Sequence, residues 1–115
     1  MSELTLRWQQ QRWHCPECGP VLDRSLEVFV DGRRLGRWQE DGHQGRPLPV
    51  HQVESALVDA LNLPFEWHEH VRSLRARQGS REALDAVFWA QLEQQGHRAR
   101  QSLQVFTSPD ECAPL

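Results

Sequence analysis

The chain has 115 residues, enough for one domain with its own core, and its 38% apolar and 25% charged content is an ordinary globular balance that excludes a wholly disordered polymer. A formal net charge of −3 argues against a general nucleic-acid binder held by counterion release. All thirteen basic residues are arginine, with no lysine, isoleucine or tyrosine and a single asparagine, Asn62; this is the pattern a GC-rich genome produces, so arginine here is not in itself a sign of phosphate contact.

Taken in order, Leu4, Leu6 and Trp8 alternate with polar residues and predict a strand that runs into the polar segment Gln9-Gln10-Gln11. The strand delivers the chain to Cys15-Pro16-Glu17-Cys18-Gly19. After Pro20, the β-branched and aromatic run Leu26 to Val30 predicts a second strand. Asp31-Gly32 supplies the positive φ angles of a tight hairpin, and Arg33 to Trp38 returns. Two registers are open: a two-residue loop sets Val28 against Leu35, and a four-residue loop sets Val30 against it.

Residues 40–49 hold Gly42, Gly45, Pro47 and Pro49 without apolar periodicity and read as an irregular connection. Helical spacing then begins. Val50, Val53, Leu57 and Leu61 predict a helix over 50–61, and Trp67, Val71 and Leu74 predict a second over 64–78. Ser80 as cap, with Leu84, Val87, Phe88 and Leu92, predicts a third over 80–95. Leu103 and Val105 against Phe106 alternate again as a closing strand. The expected fold class is α+β: a small antiparallel sheet, made of the N-terminal strand, the hairpin and the C-terminal strand, packed on about three helices. A single domain is expected over 1–115, with a knuckle and hairpin region (1–45), a helical region (46–96) and a closing strand and tail (97–115).

Cys15 and Cys18 are the one place where site chemistry shows. Two cysteines three apart, with proline after the first and glycine after the second, form a tight knuckle in which both sulfurs face one metal ion. The segment resembles half of a zinc ribbon or rubredoxin-type site, over about five of the 115 residues. In zinc ribbons a hairpin follows the first knuckle and the second ligand pair sits just past it. The resemblance therefore implies a structural zinc on Cys15 and Cys18, with His43 after the hairpin as third ligand and Cys112, brought back by the terminal strand, or His51 as fourth. The same two cysteines also read as a thioredoxin-like dithiol, although Gly19-Pro20 does not continue a helix, or simply as structural cysteines in a turn.

His68-Glu69-His70 is not a metal pair, because residues two apart on a helix point about 200° apart; one exposed and one partly buried histidine are expected. Trp13, among polar residues, reads as a partner-contacting side chain or as cover for the metal site. Arg72, Arg75, Arg77 and Arg81 read as a solvated helical face, with Arg72 and Arg75 able to meet a partner. No phosphate loop, nucleophile elbow or Ser/His/Asp order is present, so no enzyme is expected apart from the dithiol reading. The expected role is a cytoplasmic binding or adaptor protein with a protein partner and no membrane segment. The alternatives are a thiol-disulfide redox protein, or a nucleic-acid-binding regulator working through the segment from Arg72 to Arg81.

Overall fold

A computed structural model describes residues 2–107. Four strands and three helices follow in the order β1 (Glu3–Cys15), β2 (Gly19–Val30), β3 (Arg33–Gln39), α1 (Val50–Ala60), α2 (Phe65–Arg77), α3 (Ala86–Gln94) and β4 (Arg98–Thr107). The architecture is α+β, as the alternation of periods two and 3.6 predicts. The strands form one sheet in the order β3-β2-β1-β4. β1, β2 and β3 are antiparallel neighbours, but β4 lies parallel to β1 from Glu3↔Arg98 to Arg12↔Thr107, so the sheet is mixed where an antiparallel one was expected. The reason is the connection: the three helices form a crossover from β3, and it returns the chain to the end of the sheet where β1 begins.

Leu4 and Leu6 of β1 and Leu26 and Val28 of β2 are fully buried, and they meet Leu48, Val53, Leu57, Val71, Phe88 and Leu92 in one core. Burial of about 1.5–3 kcal/mol per large apolar side chain makes this cluster the main source of stability. Beyond Trp8, β1 becomes Gln9-Gln10-Gln11-Arg12, which gives the helices nothing apolar to cover. The sheet therefore extends past its helical layer, and the molecule measures 49 × 33 × 17 Å.

The β2–β3 turn is the two-residue kind, with Asp31 at φ 50° and Gly32 at φ 83°, the signs a type I′ turn requires. A bulge then places Val28 opposite Gly36 instead of Leu35. Gly36 is glycine for want of space: a Cβ there would lie 2.9 Å from the Trp38 ring.

The third helix starts later than expected. Its cap is Asp85, whose side chain accepts the Phe88 N–H at 3.1 Å, while Ser80 lies in an irregular segment and Leu84 takes φ 56°. That segment is held by a buried ionic cluster. The Glu54 carboxylate of α1 accepts from Arg75 of α2 at 2.6 and 3.2 Å and from the Leu84 N–H at 3.0 Å, and it lies 2.8 Å from His68 Nε2. Arg75 also donates twice to Asp85, both at 3.1 Å. Arg75 is 5% exposed, so it is not on a solvated face and cannot meet a partner; Arg72, paired with Glu69, is exposed. His68 is buried and His70 exposed.

Candidate metal centre

The knuckle is the turn of the long β1–β2 hairpin. Cys15 pairs with Gly19 at the end of the ladder, Pro16, Glu17 and Cys18 make the loop, and Gly19 takes φ 87° to let the chain return. β3 runs back along β2 toward the same end. Beyond Gln39 the chain stays beside β2, with the Glu40 N–H bonded to the Arg24 carbonyl at 2.8 Å and the Arg24 guanidinium bidentate on Glu40 at 3.0 and 2.7 Å. The next residues close a tight loop. The Asp41 and Arg46 backbones bond each other at 2.9 and 2.8 Å, and the Asp41 side chain accepts the Gln44 N–H at 3.1 Å.

Asp23 of β2 fixes this loop against the knuckle. One carboxylate oxygen accepts the Gly42 N–H at 2.7 Å and the other accepts Trp13 Nε1–H at 2.7 Å. Gly42 lies so close to β2 that a Cβ would fall 2.1 Å from the Leu22 carbonyl oxygen. His43 is thereby held beside Trp13, ring centroids 5.5 Å apart, with Nε2 3.6 Å from Cys15 Sγ. Trp13 is half-buried by these contacts, so it covers the site and is not a free side chain.

Cys15, Cys18 and His43 each present one ligand atom within 4.8 Å of the other two, close enough to hold one metal ion. In a tetrahedral zinc site with Zn–S near 2.3 Å and Zn–N near 2.05 Å, sulfur and nitrogen are about 3.6 Å apart. The Cys15–His43 separation of 3.6 Å is that edge length. The electrostatics suit a thiolate at Cys15. Backbone N–H groups of Cys18 and Glu17 point at its sulfur and, with smaller help from the Cys18 and His43 side chains, lower its pKa to about 7 against the opposing effect of burial. Cys18 is pushed up, first by its hydrogen bond to Cys15 and then by burial and the nearby negative charge, so the first proton leaves Cys15. Two sulfurs and an imidazole favour zinc or another borderline-soft cation over magnesium or calcium.

Of the sequence-predicted ligands the structure brings together three. His51 is not among them: it is exposed in the first turn of α1, a helix committed to the core through Val53 and Leu57. Cys112 lies outside the described residues. Asp23 and Gly42, which position His43, carry no signal in the sequence, since their roles depend on contacts between β2 and a loop nineteen residues away. None of the cavities of about 570, 400 and 230 Å³ is lined by Cys15, Cys18 or His43. Among the described residues no helix is long and apolar enough to cross a membrane. No family model matches this chain, and no curated protein or solved structure matches it either.

Proposed function

We propose that this chain is a non-enzymatic binding or adaptor protein of the cytoplasm whose hairpin tip is clamped by a structural zinc ion on Cys15, Cys18 and His43. The convergence of those three ligand atoms carries the reading. A fourth ligand is within reach of the chain. β4 runs in the same direction as β1, and Thr107 stands opposite Arg12, so the knuckle is about 10 Å further on. The five residues from Thr107 to Cys112 span up to about 17 Å when extended. Cys112 as fourth ligand completes a closed Cys₃His set, the pattern of structural and not catalytic zinc. A protein partner then meets the rigid tip beside Trp13, or the Arg72 side of α2.

Native mass spectrometry of protein purified without added metal tests this. One zinc per chain is expected, lost in Cys15→Ser and Cys18→Ser, reduced in His43→Ala and reduced in Cys112→Ser. A metal-free chain with unmodified thiols overturns the reading. The dithiol alternative draws support from the lowered pKa of Cys15. Against it, Cys15 is 5% exposed and lies in a hairpin turn with no helix N-terminus behind it. Reduction of insulin disulfides by the metal-free protein would favour it. The nucleic-acid reading loses one of its cations to the Glu54 cluster, and a salt-dependent retention of nucleic acid on the purified protein is the result that would restore it.

A further inference from the structure

The two edges of the sheet are treated differently. β3, at one edge, carries Arg33, Arg34 and Arg37, contains a bulge and is seven residues long, which are the usual devices that keep an edge from pairing. β4, at the other edge, has none of these over its last seven residues, 101–107. All ten of its residues are exposed, and nothing among the described residues pairs with its outer side. Leu103 is 57% exposed, Val105 48% and Phe106 46%, which accounts for three of the five large apolar side chains left in solvent among the described residues.

We propose that a second copy of this chain covers that edge, β4 pairing antiparallel with β4 about a two-fold axis that passes through Leu103 perpendicular to the sheet. Antiparallel pairing about such an axis sets residues of equal parity opposite each other, so each helical layer stays on the same side of a continuous eight-stranded sheet. The strand suits this register. Leu103 meets Leu103 of the second copy, Val105 meets Gln101, Ser102 meets Gln104 and Ala99 meets Thr107. Phe106 lies opposite the second copy's Arg100, an aromatic face against a guanidinium. The described part of the strand then places no two like charges opposite each other, whereas pairing β3 with itself would bring three arginines of each copy together. Ladder hydrogen bonds over nine residues would supply the association, with Leu103 and Val105 of both copies clustered on one face of the sheet and Phe106 on the other.

Sedimentation equilibrium of the full chain from micromolar to submillimolar concentration tests the proposal. A mass twice the 13.4 kDa of one chain is expected. Leu103→Glu, which sets two carboxylates on the axis, should weaken the dimer by at least about a hundredfold. Phe106→Arg should do likewise by opposing Arg100, and Arg100→Glu should weaken it less. Phe106→Arg combined with Arg100→Glu should recover most of the affinity through the new ion pairs. Circular dichroism should be unchanged throughout, because none of these side chains enters the core. A monomer at every concentration overturns the proposal, and so does a dimer indifferent to Leu103→Glu and Phe106→Arg. A monomer that Leu103→Glu destabilises would assign the edge to residues 108–115 and overturn it too. Failure of the double variant to recover rejects this register.

Discussion

Gly42 has no side chain because the Leu22 carbonyl occupies the place one would take. In Gly42→Ala the loop must therefore retreat from β2, breaking the hydrogen bond to Asp23 and drawing His43 from Cys15. Changes in the residues that orient a metal ligand commonly cost ten- to a hundredfold in metal affinity. Competition with a zinc chelator should show a loss of about that size, with the thermal transition of the helical core nearly unmoved. Asp23→Ala should resemble it, since it frees both Gly42 and Trp13. The two cysteines and His43 were legible in the sequence because a knuckle and the hairpin after it have characteristic spacing. Asp23 and Gly42 were not, since their importance arises only when the chain after β3 is laid along β2.

At the level of the elements, the three helices are held to one another by a single buried carboxylate as well as by apolar contact. Burial by itself would raise the pKa of Glu54. Hydrogen bonds from Arg75, His68 and the Leu84 N–H outweigh it and hold the group below its ordinary value, and Asp85 is likewise held down by Arg75 and the Phe88 N–H. A carboxylate whose folded pKa is depressed stabilises the fold at pH above its unfolded value and loses that contribution as pH falls through the folded one. Stability should thus begin to fall below about pH 4.5, where unfolded carboxylates start to take up protons. Arg75→Met leaves Glu54 buried without its main partner and should cost about 3–5 kcal/mol at neutral pH. Because Glu54 can then protonate to relieve the unpaired charge, the deficit should narrow in acid; urea titrations at neutral pH and near pH 4 measure both. Arg72→Gln should change stability by less than about 0.5 kcal/mol. In the sequence Arg75 and Arg72 are indistinguishable members of one arginine cluster. Their difference lies in spacing, since His68, Val71 and Arg75 recur at the intervals of a buried stripe in which a charge is tolerated only because Glu54 stands opposite.

In the whole molecule, the core and the candidate metal site occupy opposite ends of the sheet. Leu4, Leu6, Leu26 and Val28 pack under the helices, whereas Cys15 lies nine residues beyond Leu6 on a ladder lined by glutamine and arginine. Removing the proposed zinc should leave the helical end folded. Hydrogen exchange after chelation is expected to quicken at residues 13–19 and 40–46 and to stay unchanged in 50–60, 65–77 and 86–94. Uniform acceleration would show that the tip and core unfold as one. The α+β class followed from periodicity, but the direction of β4 did not, because alternation reads the same for a parallel and an antiparallel neighbour.

That parallel pairing also bears on how the chain is made. Each residue of β1 from Glu3 to Arg12 is joined in the sheet to one 95 positions later, whereas its partners in β2 lie within the same hairpin. At a synthesis rate of about 5–20 residues per second, β1 and β2 can close around the knuckle roughly 4 to 15 seconds before β4 leaves the ribosome. Throughout that interval the far side of β1 is itself an open border. Its polar run, Gln9 to Arg12, discourages pairing along that border, and Cys15, Cys18 and His43 can converge while the helices are still being translated.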